Sequence, residues 1–185
     1  MKIRPATEAD HDAIWNIFRR IVAAADTYAL DPNMSRQNAF AYWFAPGTRT
    51  YVALDAKSRG ESVPFAGTSR PSSIADASPV IVGTYILRPN QAGGGSHVAN
   101  AAFMVSASAS GQGIGRAMAE HCLNEARRLG FRAMQFNFVI STNTRAIRLW
   151  QELGFNIVGT LPAAFHHPEK GYVDVYVMYR SLLED

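Results

Sequence analysis

Apolar residues along the chain recur with two different periods. In four segments they return every three or four positions, the pattern of a helix that buries one face. Thr7 and Asp10 have the spacing of a capping box ahead of the first segment, and Ser35 is placed to cap the second. The helices are predicted to end near Ala25 and near Pro46-Gly47, and to occupy 113–129 and 144–153.

Short apolar runs between these helices predict strands. They lie at 2–5, 50–54, 80–87, 98–106, 133–140, 155–161 and 172–179. The resulting order is β-α-α-β-β-β-α-β-α-β-β. The strand–helix–strand unit in the second half predicts parallel pairing, because its crossover is helical, and hairpins at either end predict antiparallel pairing. We therefore expect an α/β fold with a mixed sheet covered by helices.

The segment 57–79 is rich in Ser, Gly, Pro and Ala and shows no clear period. We interpret most of it as a long loop insertion rather than as a domain boundary. A chain of 185 residues with 48% hydrophobic content fits one globular domain over 1–185.

Charge and cysteine content exclude several classes of protein. The net charge of +3 comes from 18 basic and 15 acidic residues that are scattered along the chain, so nothing indicates a nucleic-acid partner. The single cysteine, Cys122, rules out an intramolecular disulfide and is expected in the core. The sequence has neither a signal peptide nor an apolar run of about 18 residues, so we expect a cytoplasmic protein without a membrane partner. A homodimer is one of the oligomeric states that the sequence allows.

A glycine-rich turn follows the fourth predicted strand and opens the third helix. Glycine accepts positive φ and lets another group approach the backbone, so the N–H groups of this turn and the helix N-terminus can hold a pyrophosphate. A tight strand-to-helix turn is the structural alternative. The Walker pattern is absent, and the dinucleotide fingerprint fails because position 116 is Arg. The turn reads Gly111-Gln112-Gly113-Ile114-Gly115.

Two motifs resemble the GCN5-related N-acetyltransferases. The stretch from Val105 reads V-S-A-S-A-S-G-Q-G-I-G-R-A-M, in which Gly113 and Gly115 match the first signature while Ser110 stands in its Arg/Gln place. The segment from Asn143 to Phe155 matches the second signature. The resemblance covers roughly 80–180. It implies a mixed twisted sheet of about seven strands, with helices on both faces and a splayed central strand pair.

The resemblance also implies an activity and a set of ligand-binding residues. Such a protein moves an acetyl group from acetyl-CoA to an amine through a tetrahedral intermediate, without a metal. The backbones of Met104 and Val105 would pair with the pantetheine arm, which Asn143 would also contact, and a main-chain N–H near Met104 would polarise the thioester carbonyl. The cofactor-binding set is completed by the phosphate turn and the residue before it, namely Ser110, Gly111, Gln112, Gly113, Ile114, Gly115 and Arg116.

Trp150 stands where many members of the family carry the tyrosine that protonates the departing thiolate. An indole can pack or donate one hydrogen bond to the sulfur, but it cannot act as an acid. Either the thiolate leaves unassisted, or water or another side chain protonates it. A coenzyme A-binding module without catalysis is therefore one alternative function, and a protein-lysine acetyltransferase is another.

Two asparagines interrupt apolar strands. Asn100 and Asn137 either bond strand-end backbone or face the acceptor site, since an unpaired buried amide costs about 1–3 kcal/mol. The surrounding motifs are similar to yeast-type N-acetyltransferases that act on azetidine-2-carboxylate and related proline analogues. That similarity implies that Asn100 holds a small-molecule amine and that Asn137 supports the reacting centre. Tyr28 and Asp31, between the first two helices, are further substrate candidates.

The histidines give weaker indications. His166 and His167 are expected in a loop, exposed or capping rather than binding a metal, because no other ligands cluster with them. His97, at a strand start, is a candidate base or a loop-edge residue.

Overall fold

A computed structural model describes residues 1–55 and 79–183. Except for Pro79, the predicted insertion at 57–79 lies outside the described residues. The elements are β1 Lys2–Pro5, α1 His11–Ala23, α2 Arg36–Trp43, β2 Arg49–Asp55, β3 Val80–Pro89, β4 Val98–Val105, α3 Ile114–Arg128, β5 Ala133–Ile140, α4 Thr144–Glu152, β6 Asn156–His167 and β7 Gly171–Ser181.

The strands form one sheet in the order β1-β2-β3-β4-β5-β7-β6. Only β4 and β5 pair in parallel, across the helical crossover of α3, and the other neighbours are antiparallel. The mixed seven-stranded sheet is therefore confirmed, and so is the predicted element order.

The one strand that departs clearly from its predicted bounds is β6, which was expected to end at Leu161 and continues to His167. Its pairing with β7 shifts between Leu161 and Phe165, where Ala163 has a φ of 52°. This irregularity accommodates Pro162, which cannot donate to the ladder. The prediction that His166 and His167 lie in a loop was wrong, since both lie in the part of β6 that follows the shift.

Helices cover both faces of the sheet. Residues of α3 and α4 pack with apolar side chains on one face, and residues of α1 and α2 pack on the other. Trp43 ties α2 to the sheet, because its Nε1 donates to Thr84 Oγ1 at 3.1 Å. Cys122 is fully buried on the α3 face, which confirms its place in the core.

Asp10 ends a 3-10 turn, Glu8–Asp10, that leads directly into α1. Its carboxylate accepts from the Thr7 N–H at 2.7 Å, as the capping-box spacing predicted. Arg4 donates to both carboxylate oxygens, at 2.6 and 2.8 Å. This hydrogen bonding lowers the pKa of Asp10 to about 2. Strand β1 and the first helix are thereby joined.

Candidate active site

The parallel strands β4 and β5 separate soon after they begin. Their ladder consists of Val98 with Ala133 and Ala99 with Met134. Beyond that point a cavity of about 920 Å³ opens between the strands, lined by β3, β4, β5, the α1–α2 connection, α3 and α4. The predicted splayed central strand pair is therefore present.

The glycine turn forms one end of this cavity. Gly111 and Gly113 have φ values of 87° and 78°, which L side chains rarely adopt, and Ile114 begins α3. A Cβ on either glycine would meet no atom within 4 Å, so the space beside them is open to a ligand. Backbone N–H groups and the helix N-terminus together suit a pyrophosphate.

Arginines surround the glycine turn. Arg116 pairs with the carboxylate of Glu152, and Arg145 donates to Ser110 Oγ at 3.0 Å. Arg148 also lines the cavity. No role was predicted for Arg145 or Arg148, although their i, i+3 spacing on a helix places them on one side and indicated a shared site.

The two edges of β4 differ. On the β3 side the ladder is continuous from Val105 with Gly83 to Ala99 with Pro89. On the other side the Tyr28 hydroxyl donates to the Phe103 carbonyl at 2.7 Å and accepts from the Phe103 N–H at 3.1 Å. Because successive residues of a strand direct their backbone groups to opposite edges, Val105 presents its N–H and C=O to the same open edge as Phe103.

Met104 lies between these residues and turns the other way. The same alternation directs its N–H and C=O toward Thr84 in β3, and its side chain is 1% exposed. It is not among the residues that line the cavity. Backbone pairing of Met104 with a pantetheine arm stays a prediction. The neighbouring residue whose N–H and C=O face the open edge is Val105.

Asn143 and Trp150 both line the cavity from α4 and its cap. Asn143 Oδ1 accepts from the Ala146 N–H at 3.2 Å, while its amide nitrogen bonds none of the described residues. Trp150 is packed among aromatic rings, with centroid distances of 4.6 Å to Phe136 and 5.1 Å to Phe103. Asn143 thus has a donor left for a ligand, and Trp150 forms an apolar wall.

The two asparagines occur in different settings. Asn100 Nδ2 donates to the Gln135 carbonyl at 2.8 Å, just where the β4–β5 ladder ends. Asn137 is exposed, so its expected burial was wrong. Strand β5 has a bulge between Phe136 and Val139, where it advances three residues while its partner β7 advances two. Asn137 lies in this bulge and lines the cavity.

Asn137 belongs to a chain of amides. Gln135 Nε2 donates to Asn137 Oδ1 at 2.8 Å, and Asn137 Nδ2 donates to Asn90 Oδ1 at 2.7 Å. Such bonds fix the orientation of the Asn137 amide. Asn90 and Gln135 were not identified from the sequence.

Arg88 was also missed. It is the register partner of Asn100, so the two side chains leave the same face of the sheet as neighbours, and both line the cavity. Its guanidinium lies 5.0 Å from the centroid of the Tyr42 ring and forms no ion pair with the described residues. An arginine directly after the apolar strand predicted at 80–87 was the available signal.

Other candidates lie outside this cavity. Asp31 is exposed and accepts from the Asn33 N–H at 2.8 Å, and His97 is exposed with Nδ1 3.0 Å from the Gly94 carbonyl. His167 is buried and accepts from the Glu169 N–H at 3.1 Å, and it lines a smaller cavity of about 370 Å³ that shares Thr27 and Asn143 with the first. In residues 1–55 and 79–183, no group of three or more His, Cys, Asp or Glu side chains could hold a metal ion.

Comparison with known proteins decides the family. Residues 35–155 match the acetyltransferase (GNAT) family. The chain belongs to this family. N-acetyltransferase aca1 of Schizosaccharomyces pombe is 32% identical over 157 residues, which are 84% of this chain and 72% of that protein. Membership makes this protein an acetyl-CoA-dependent N-acetyltransferase with acetyl-CoA as its cosubstrate.

Solved structures share the GNAT fold. A GCN5-related N-acetyltransferase from Kribbella flavida is 43% identical, with a TM-score of 0.82 and coverage of 97% of this chain and 96% of that one. The yncA protein of Salmonella typhimurium, solved with its cofactor acetyl-CoA, is 23% identical, with a TM-score of 0.77 and coverage of 100% and 95%.

The GNAT cavity has one carboxylate among its described lining residues, Glu152, which is paired with Arg116. Among the described residues that line the cavity, no other acidic side chain therefore stands near the asparagines to accept a proton. In the described part of the chain, no helix is long and apolar enough to cross a membrane.

Proposed function

We propose that this acetyltransferase modifies the amine of a small molecule that also carries a carboxylate, such as an amino acid or a proline analogue. The observation that carries the proposal is Arg88, a cation without an ion pair in the described chain, which neighbours Asn100 in register and lines the same cavity as Asn137. A guanidinium beside amide donors is suited to binding a carboxylate.

The acyl donor is proposed to enter from the opposite end of the cavity. Ser110 and the turn from Gly111 to Arg116 would hold the pyrophosphate, with Arg145 and Arg148 adding positive charge. The pantetheine arm would then follow the open edge of β4 at Val105, with Asn143 donating to it. This path runs from the C-terminal end of β4 toward the point where β4 and β5 join.

The reaction requires one bond to form and one to break. Acetyl-CoA supplies a thioester whose carbonyl carbon is attacked by the amine nitrogen through a tetrahedral intermediate, after which the C–S bond breaks. The Val105 N–H would donate to the oxygen that gains charge. Asn137, fixed by Asn90 and Gln135, would orient the amine for attack.

The protons have simple destinations in this scheme. The amine attacks in its neutral form, whose fraction rises with pH, and the proton it loses on attack passes to water. The departing thiolate, like a thiol of pKa about 8.5, is stable enough to leave without an acid. Trp150 packs beside the thioester.

We also propose that the chain forms a single acetyltransferase domain over 1–185. The support is one continuous sheet that includes both the first and the last strand, together with a relative matched over most of the chain.

Paired amines test the acceptor class. We expect azetidine-2-carboxylate and proline to be acetylated at least about 100-fold more efficiently than azetidine and pyrrolidine, which lack the carboxylate. When an amine without a carboxylate binds, the charge of Arg88 is left without a partner, and this weakens binding. Release of free thiol from acetyl-CoA measures kcat/KM for each amine. In Arg88→Met the difference should shrink to less than about tenfold.

Other outcomes identify the alternatives. Equal use of the paired amines would contradict the carboxylate proposal, and preference for a lysine-containing peptide would indicate a protein acetyltransferase. Acetyl-CoA binding by calorimetry without thiol release for any amine would indicate a module without catalysis.

A further inference from the structure

An ion pair joins the start of α3 to the end of α4 at the glycine-turn end of the cavity. Arg116 Nη2 donates to Glu152 Oε2, and both residues line the cavity. Arg116 is the third residue of α3, just after the glycine turn, and Glu152 is the last residue of α4. The pair therefore lies beside the turn on which the pyrophosphate of acetyl-CoA is proposed to bind.

Each charge of this pair is at the unfavourable end of its helix. The N-terminus of α3 carries partial positive charge, and Arg116 adds a cation to it. The C-terminus of α4 carries partial negative charge, and Glu152 adds an anion to it. An anion bound at the start of α3 would favour both the dipole and Arg116. The position of Arg116 thus suits a bound phosphate, and Glu152 supplies a substitute anion.

Arg116 differs from the two arginines that line the cavity from α4. Arg145 donates to the uncharged Ser110 hydroxyl, and Arg148 forms no ion pair with the described residues. Glu152 is the one carboxylate among the described residues that line the cavity. The single negative charge there is therefore paired with the arginine of the phosphate turn.

The pair is exposed enough to open. The side chains of Arg116 and Glu152 are 44% and 49% exposed, so water and salt screen their attraction. When the pair opens, Glu152 faces water, and no buried charge is left without a partner. A phosphate held by the N–H groups of the turn offers Arg116 a strong charge-assisted hydrogen bond in exchange.

We propose that Glu152 is a positioning residue that holds Arg116 in the free enzyme and releases it to the pyrophosphate when the donor binds. The inference rests on the proposed place of the pyrophosphate on the turn from Gly111 to Arg116. Binding must then break the Arg116–Glu152 pair and leave a carboxylate near the phosphates, so Glu152 lowers the affinity for acetyl-CoA. Because the product coenzyme A carries the same pyrophosphate, Glu152 weakens its binding by the same factor.

Titration calorimetry with acetyl-CoA and with CoA, in the absence of any amine, tests this role. Glu152→Gln removes the charge with little change of shape, and its Kd for both ligands should be at least about fivefold lower than that of the wild type. Arg116→Met should raise the Kd at least about fivefold. In the Arg116→Met background, Glu152→Gln should lower the Kd less than about twofold, because only screened repulsion of the phosphates is then relieved.

Two controls separate the exchange from other effects of charge. Glu120→Gln is the matched variant, because Glu120 also lies near Arg116, at 3.9 Å, but does not line the cavity. It should change the Kd less than about twofold. Acetyl-dephospho-CoA lacks the phosphate on the ribose and keeps the pyrophosphate, so Glu152→Gln should tighten its binding as much as that of acetyl-CoA.

An unchanged or higher Kd in Glu152→Gln would overturn the proposal. An equal gain in the Arg116→Met background would do so too, because it would mean simple repulsion between Glu152 and the phosphates. Loss of the gain with acetyl-dephospho-CoA would assign Arg116 to the ribose phosphate instead.

The same titrations distinguish this inference from the proposals on which it depends. An unchanged Kd in Arg116→Met would refute the proposed place of the pyrophosphate together with the exchange. A raised Kd in Arg116→Met without any gain in Glu152→Gln would refute only the exchange. Because no amine is present, none of these results depends on the acceptor class.

Discussion

The two edges of β4 belong to the same eight residues but do different things. Toward β3, the backbone groups form a complete antiparallel ladder. Toward β5, pairing stops after Ala99, and the groups that follow face a cavity or the Tyr28 hydroxyl. The first edge holds the sheet together, and the second leaves strand hydrogen-bonding capacity for a ligand. A binding site for an extended molecule can thus arise from the absence of a strand partner.

Proline substitutions separate these two edges most strongly. Met104→Pro removes an N–H directed at β3 and should destabilise the fold by about 3 kcal/mol or more. Val105→Pro removes an N–H on the open edge, where proline is tolerated, and should fold while kcat falls about 100- to 1000-fold for lack of the donor to the developing oxyanion. Thermal unfolding and thiol release measure the two effects. A folded, fully active Val105→Pro would show that this edge carries no chemistry.

Asn137 tests whether the open side also positions the amine. Asn137→Ala should lower kcat about 10- to 100-fold and change the Kd of acetyl-CoA by less than about twofold, because its amide acts on the acceptor and not on the donor. Asn156→Ala is the control, since this exposed asparagine begins β6 outside the cavity. Wild-type turnover in Asn137→Ala would mean that its amide network is only structural.

Alanine substitutions at the glycines that flank α3 distinguish the cost of backbone strain from the loss of ligand contact. Gly113 and Gly130 have φ values of 78° and 82°, and a Cβ on either would meet no protein atom within 4 Å. Alanine at either position should therefore cost about 1–2 kcal/mol of unfolding free energy. Only Gly113→Ala should also weaken acetyl-CoA binding, by about tenfold, because the proposed pyrophosphate approaches that backbone. Equal Kd values in both variants would count against the proposed cradle.

The paired part of the sheet should show a pH dependence of stability that comes from Asp10. Hydrogen bonding with Arg4 holds the folded pKa of Asp10 at about 2, below the unfolded value of about 3.9. Its contribution is therefore complete above about pH 5 and is lost as the pH falls toward 2. Asp10→Asn should cost about 1 kcal/mol at pH 7 and flatten this dependence. Urea unfolding between pH 2 and 7 measures it, and identical curves for both proteins would contradict the assignment.

The features that follow from local sequence were predictable, and those that need register were not. The glycine turn and the helix after it are encoded within a few residues, and the parallel crossover follows from the element order. In β4 the residues from Val98 to Val105 are almost all apolar, so the alternation that would tell Met104 from Val105 is absent from the pattern.

Cross-strand neighbours carry the rest of the site. Arg88 meets Asn100 only through the β3–β4 register, and Asn137 reaches the cavity through a bulge that exists only against β7. Tyr28 finds Phe103 across 75 positions. Such pairs follow from tertiary packing, which local periodicity does not contain.

A crystal structure with acetyl-CoA bound tests the central claim, that the open edge of β4 receives the acyl donor. We expect the thioester oxygen about 3 Å from the Val105 nitrogen. We also expect that Tyr28 still bonds Phe103 and that the pyrophosphate lies on the turn from Gly111 to Arg116. A thioester bound away from this edge, or one that displaces Tyr28 and bonds Phe103 instead, would contradict it.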